Sequence, residues 1–224
     1  WPNQRNVDNL TINNNSISNT HSLGIRVGGG GYGSHLGDIN ISDNDIKANG
    51  GIAIDAYSWI NSEIPGITIN DNTISGTGIG LNFGHSDGWP RNNIQVRRNK
   101  FSNSSTAIKY SAGNNFGIGP HINITSNDFT SNTNDIDMPG VAVEVNSNTF
   151  TRTGEYILKN ANSHTSFSEN TINGFSGEYV FHTRDSTEVG KPIVLSRNYF
   201  DSITSTAYLA DDGSKNFQYK TIVV

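Results

Sequence analysis

The chain has no cysteine and one methionine in 224 residues, which excludes disulfide staples and thiolate metal sites. No apolar run approaches the ~20 residues that a membrane-spanning helix needs. Nor do apolar residues recur at the i, i+3, i+4 spacing of an amphipathic helix. Basic residues are few: 15 Lys and Arg against 20 Asp and Glu give a net charge of -5 and a pI near 5.6. This balance provides neither the cationic footprint of a nucleic-acid binder nor a polybasic patch for anionic membranes. Hydrophobic residues make up only 33%, a poverty that in an irregular chain means disorder. Trp1 carries neither an initiator Met nor a signal peptide, so the expectation is a mature form or an excised segment. A chain without cysteine also fits an oxidising exterior, and the expected location is extracellular or at the cell surface.

What is present is a period. The pattern apolar-x-apolar-x-x-Asn-x-apolar occurs eight times, centred on Asn15, Asn44, Asn72, Asn99, Asn127, Asn148, Asn170 and Asn198. Ile39-Asn-Ile41-Ser-Asp-Asn44-Asp-Ile46 and Ile122-Asn-Ile124-Thr-Ser-Asn127-Asp-Phe129 are typical copies. Successive asparagines lie 29, 28, 27, 28, 21, 22 and 28 residues apart, the spacing of stacked structural repeats. A chain without structure does not hold such a period. Within each unit apolar and polar residues alternate and Ile, Val and Phe dominate, which predicts strands. Each unit divides into three short strands, as in Ile67-Thr-Ile69, Thr73-Ile74-Ser75 and Ile79-Gly-Leu81-Asn-Phe83.

Three strands per repeat, stacked coil on coil, make an all-β parallel β-helix of about eight coils. The corner asparagine has two expected roles. It accommodates the left-handed backbone of a tight corner, and its carboxamide hydrogen-bonds along the axis in an Asn ladder. The whole of 1–224 reads as one such domain. The opening Trp1-Pro2 echoes the inter-strand Trp89-Pro90, and no capping helix is evident. The chain therefore reads as a segment of a longer β-helix, or as one capped by partners.

These repeats resemble the pectate-lyase-like superfamily, with its PbH1-type repeats, over nearly the full length, and the resemblance implies a parallel β-helix that is single-stranded and right-handed. In that superfamily the sheet formed by the third strands, with the loops leaving it, forms the substrate groove. The resemblance thus implies a site on the outward row of the third strands, read as Arg26, Asp55, Asn82, Lys109, Asp137, Lys159 and His182, with Arg184 beyond. The loops at 28–38, 55–66, 84–93 and 111–121 are long and carry Tyr32, Tyr57, Trp59, His85, Asp87, Trp89 and Phe116. Aromatic faces with polar edges suit sugar rings, so Tyr32, Trp59 and Trp89 join Arg26, Asn82 and Asp137 as expected substrate-binding residues.

Glycoside hydrolysis needs two carboxyl groups about 5–9.5 Å apart. Asp55 and Asp137, three coils apart, lie about 14 Å from each other at the strand spacing, so Asp55 and Asp87 are the better pair. Lyase chemistry needs a base beside a uronate carboxylate and a cation to neutralise that carboxylate. His85 and Tyr57 suit the first role, and Lys109, beside Asp137, suits the second. Asp55, Asp87 and Asp137 are the oxygen ligands available to calcium, though no calcium-binding consensus occurs and no other cofactor is implied. The polygalacturonase motifs Asn-Thr-Asp and Arg-Ile-Lys are missing, so that activity is not carried over. Gly28–Gly33 is glycine-rich but lacks the lysine of a phosphate-binding loop.

Two readings follow. The first is an extracellular enzyme that binds and cleaves a polysaccharide, as a lyase or glycoside hydrolase, over coils one to four. Archaeal disaggregatases and phage tailspike depolymerases are similar in repeat style, and the latter imply a homo-trimer. The second is a non-catalytic adhesin, S-layer-type protein or carbohydrate-binding solenoid. Neither involves nucleic acid or insertion in a membrane.

Overall fold

The computed structural model describes residues 7–29, 36–56, 66–76, 78–84, 94–111, 122–139, 141, 143–161, 165–177, 179–183, 194–204 and 207–211. It is an all-β parallel β-helix, as the repeat predicts, with every strand pairing in parallel to its equivalents in the coils before and after. The first strands of the repeats, from Val7–Asn13 to Val194–Ser196, form one eight-stranded sheet, the first face. Register steps through the coils without a slip: Ile12, Ile41, Ile69, Val96, Ile124, Val145, Phe167 and Leu195 stand one above another.

The second and third strands belong to one 14-stranded sheet that bends into two faces. In coils one and two they are continuous, as Ser16–Gly29 and Asp45–Ala56. This differs from the three separate strands expected of every unit. From coil three onward the strands separate, as in Thr73–Ser75 and Ile79–Gly84.

Alternation decides what is inside. Ile67 and Ile69 are buried while Thr68 and Asn70 are not, and the same pattern repeats in Ile122–Thr125 and Val143–Asn146. The interior is one continuous apolar column running from Ile25 to Phe181. Phe101, Phe129 and Phe150 stack with centroids 5.3 and 4.8 Å apart, which is the strand spacing imposed on side chains held in register.

The Asn ladder is present and buried. The backbone N–H and the side-chain amide of Asn127 both donate to Asn148 Oδ1, at 2.8 and 3.0 Å. Its amide also donates to the Val96 carbonyl of the coil below, at 2.9 Å. Its own Oδ1 accepts from Asn99 N and Nδ2, at 2.9 and 3.0 Å. The same linkage joins Asn15 to Asn44, Asn44 to Asn72, Asn72 to Asn99, Asn148 to Asn170 and Asn170 to Asn198. Asn44, Asn72, Asn99, Asn127, Asn148 and Asn170 are at most 2% exposed. Five closed turns lie between them, flanked by end coils whose corner asparagines reach solvent.

One expectation about this corner is corrected. The left-handed residue is not the ladder asparagine but the one before it: Asn14, Asp43, Asp71, Arg98, Ser126, Ser147, Glu169 and Arg197 all have φ of 54–58°. The asparagine is unavailable for that conformation, because its side chain must enter the core while its N–H points along the axis. The preceding side chain is left outside, where Arg98 and Asp71 meet in a two-point ion pair at 2.8 and 2.7 Å. This bond holds the Asp71 carboxyl down at about 2.

Candidate functional site

The third face runs from Leu23–Gly29 through Ile52–Ala56, Ile79–Gly84, Thr106–Tyr110, Asn134–Asp137, Tyr156–Ala161 and Tyr179–Thr183 to Ala207–Asp211. Backbone pairing fixes which side chains share its outward row. Arg26 pairs with Ala53, Ala53 with Asn82, Asn82 with Lys109, Lys109 with Asp137, Asp137 with Lys159, and Lys159 with His182. The row closes at Ala210.

Asp55 is therefore not a member of this row, contrary to expectation. Ala53 holds its place, and Asp55 lies two residues on, in register with Gly28 and Gly84. This second row stands where the third strands end. Asp55 has a glycine on the rung above and on the rung below, and at Gly28 an added Cβ would meet nothing within 4 Å. The separation of Asp55 from Asp137 is thus three rungs plus two residues, about 16 Å.

Lys109, Asp137 and Lys159 occupy consecutive rungs, which sets the two lysines about 9.6 Å apart across one carboxylate. All three are half-exposed, as is Asn82, and Arg26 is exposed. Asn82 Oδ1 accepts a hydrogen bond from Ser111 Oγ at 2.9 Å. Asp137 Oδ1 accepts one from Asn160 Nδ2 at 2.6 Å. Asn160 reaches it because its backbone is left-handed, φ 57°, at a register shift between Lys159 and Ala161. Lys159 Nζ sits 4.7 Å above the centre of the Tyr156 ring, a cation–π contact.

Ser111, Tyr156 and Asn160 are members of this surface that sequence reasoning missed. The cross-coil register that brings them to Asn82, Lys159 and Asp137 was the only signal that would have found them. Tyr32, Tyr57, Trp59, His85, Asp87 and Trp89 lie outside the described residues, as do Phe116 and Arg184. Among the described residues no three His, Asp or Glu side chains come together in a metal-binding group.

Electrostatically the row stands apart from its molecule. Arg26, Lys109 and Lys159 outnumber Asp137 on it, in a chain whose net charge is -5. Off this row, ion pairs join Asp71 with Arg98 and Glu169 with Arg197 on the first corner, and Lys47 with Asp45 on the second face. A flat, cation-rich row of amides and ammonium groups on a rigid sheet is suited to an elongated ligand rich in oxygen. Comparison with protein-family models, with curated proteins and with solved structures finds no match to this chain.

Proposed function

We propose that this is an extracellular polysaccharide-active β-helix of the pectate-lyase-like kind, binding its glycan along the third face over coils one to four and cleaving it. The observation that supports this reading is the in-register row of Arg26, Asn82, Lys109, Asp137 and Lys159. The glycine-flanked Asp55 stands beside it, at the ends of the strands from which the aromatic-bearing segments leave. Lys109, between an amide and a carboxylate, is placed to neutralise an acidic group on the ligand. Asp55 with Asp87 supplies hydrolase chemistry, and His85 or Tyr57 supplies a lyase base. Tyr32, Trp59 and Trp89 provide faces for sugar rings.

One observation favours the non-catalytic alternative, an adhesin or carbohydrate-binding solenoid. Asp137 has a lysine on each neighbouring rung and, among the described residues of the row, no second carboxylate, which suits binding without cutting.

A panel of acidic and neutral polysaccharides, followed for new reducing ends and for absorbance of unsaturated sugars together, separates the readings. New ends with absorbance identify a lyase, and Lys109→Met then lowers the rate at least tenfold. New ends without absorbance identify a hydrolase, and Asp55→Asn then abolishes it. Binding without either product establishes the adhesin, and no binding to any glycan overturns both.

A further inference from the structure

The opposite corner of the coil, between the second and third faces, holds a polar cluster that the outward row does not use. Asp135, in strand Asn134–Asp137, is 0% exposed. In register it lies between Ala107 and Ile157 of the adjacent coils, both buried and apolar. Two neutral donors reach its carboxyl: Asn132 Nδ2 at 2.9 Å on Oδ1 and Thr153 Oγ1 at 2.5 Å on Oδ2. Asn132 Oδ1 in turn accepts from the Ser104 N–H at 2.9 Å. Ser104, Asn132 and Thr153 come from coils four, five and six, and all are at most 3% exposed. The carboxyl therefore sits in a joint spanning three turns.

Among the described residues no cation belongs to this joint. The charged side chains on the surrounding strands and corners are Lys100, Lys109, Asp128, Asp137, Arg152, Glu155 and Lys159, and every one is half-exposed or exposed. A carboxylate taken out of water without a cation is strongly disfavoured, and such a group keeps its proton instead. We propose that protonated Asp135, its Oδ2–H donating to the Thr153 hydroxyl that would donate to the carboxylate, locks the corners of coils four to six together, and that its ionisation loosens them.

Burial pushes the Asp135 carboxyl up to about 7, against the opposing hydrogen bonds from Thr153 and Asn132. The sign of the consequence follows. The folded protein holds this proton up to about 7, whereas the unfolded chain releases it near 3.8. The stability it contributes is complete below the unfolded value and is lost as pH rises through the folded one.

The test is unfolding by urea between pH 4.5 and 8 for the wild-type chain and Asp135→Asn, an isostere that cannot ionise. The difference between the two profiles removes the histidines, which titrate equally in both. The expected result is a wild-type folding constant that falls, relative to the variant, up to tenfold per pH unit below neutrality and levels off above it. Parallel profiles overturn the proposal. Carboxyl carbon NMR of the wild-type chain decides the matter should the variant fail to fold. An Asp135 midpoint near 7 supports the proposal, and one near 3.8 overturns it. Thr153→Val, by removing a donor to the carboxylate, moves that midpoint upward, a shift that a role in packing alone would not produce.

Discussion

A carboxamide is the one short side chain with a two-proton donor and an acceptor in a plane, and each ladder corner uses both ends. Aspartate has the acceptors without the donors; glutamine has both on an arm one carbon too long. Asn127→Ala leaves the Asn99 N–H without its acceptor and the Val96 carbonyl without the amide that reaches it, and takes from Asn148 Oδ1 one of its two donors, the backbone N–H remaining, all inside the core. The expected loss of stability is about 3 kcal/mol or more, from buried groups left unpaired. Asn15→Ala, at the exposed end of the ladder, costs under about 1 kcal/mol. Urea midpoints of the two variants check this, and equal losses would show that burial of the ladder is not what matters. The ladder was legible in the sequence because it repeats. The left-handed residue was not, since Asp43, Arg98, Ser126 and Glu169 share only a backbone angle, and the roughly 1–2 kcal/mol that each conformation costs leaves no mark on composition. Asp55 was misplaced for a related reason. Ala53 reads as core by its chemistry and is buried, and only register shows it, and not Asp55, in line with Arg26 and Asn82.

The strands carry a mismatch that glycine resolves. Coil two crosses from the second face to the third in one unbroken strand, while coil three makes the same crossing as two strands. Where they meet, the backbones close to a distance that no side chain tolerates. A Cβ on Gly76 would lie 1.7 Å from the Ala48 carbonyl oxygen, and one on Gly78 would lie 2.0 Å from that of Asn49. Gly76→Ala meets fixed backbone, not a movable side chain, so a loss of about 3 kcal/mol or more is expected, at the upper end for overpacking. Gly28→Ala, facing open space, stays within about 0.5 kcal/mol of the wild type. Thermal unfolding of the pair separates close approach from the general cost of replacing glycine. The sequence shows a break between the strands Thr73-Ile74-Ser75 and Ile79-Gly-Leu81-Asn-Phe83; the close approach that demands glycine there comes from a neighbouring coil 28 and 29 residues away, beyond the reach of local pattern.

The described strands form a stack in which each coil pairs with the coils before and after it, so stability accumulates turn by turn. Removal of residues 127–147 joins Ser126 to Asn148 and excises one turn, since Asn127 and Asn148 are 21 residues apart and occupy the same corner. The shortened chain is expected to keep its β circular dichroism and to unfold with a smaller urea dependence, roughly in proportion to the surface lost. Loss of cooperative unfolding would show that the turns are not interchangeable. Fold class was readable at this scale because periodicity is a property of the whole chain. The candidate site was readable only in part, because its row depends on register and its aromatic complement on segments that keep no period. The ladder also gives the stack a direction. From asparagine to asparagine, every corner donates to the one on its coil-eight side and accepts from the one on its coil-one side, so the axis has unlike poles. Each coil thus meets the unlike pole of the next, a head-to-tail relation with no two-fold axis, so the stack is built by one repeated step and has no midpoint about which its halves are equivalent.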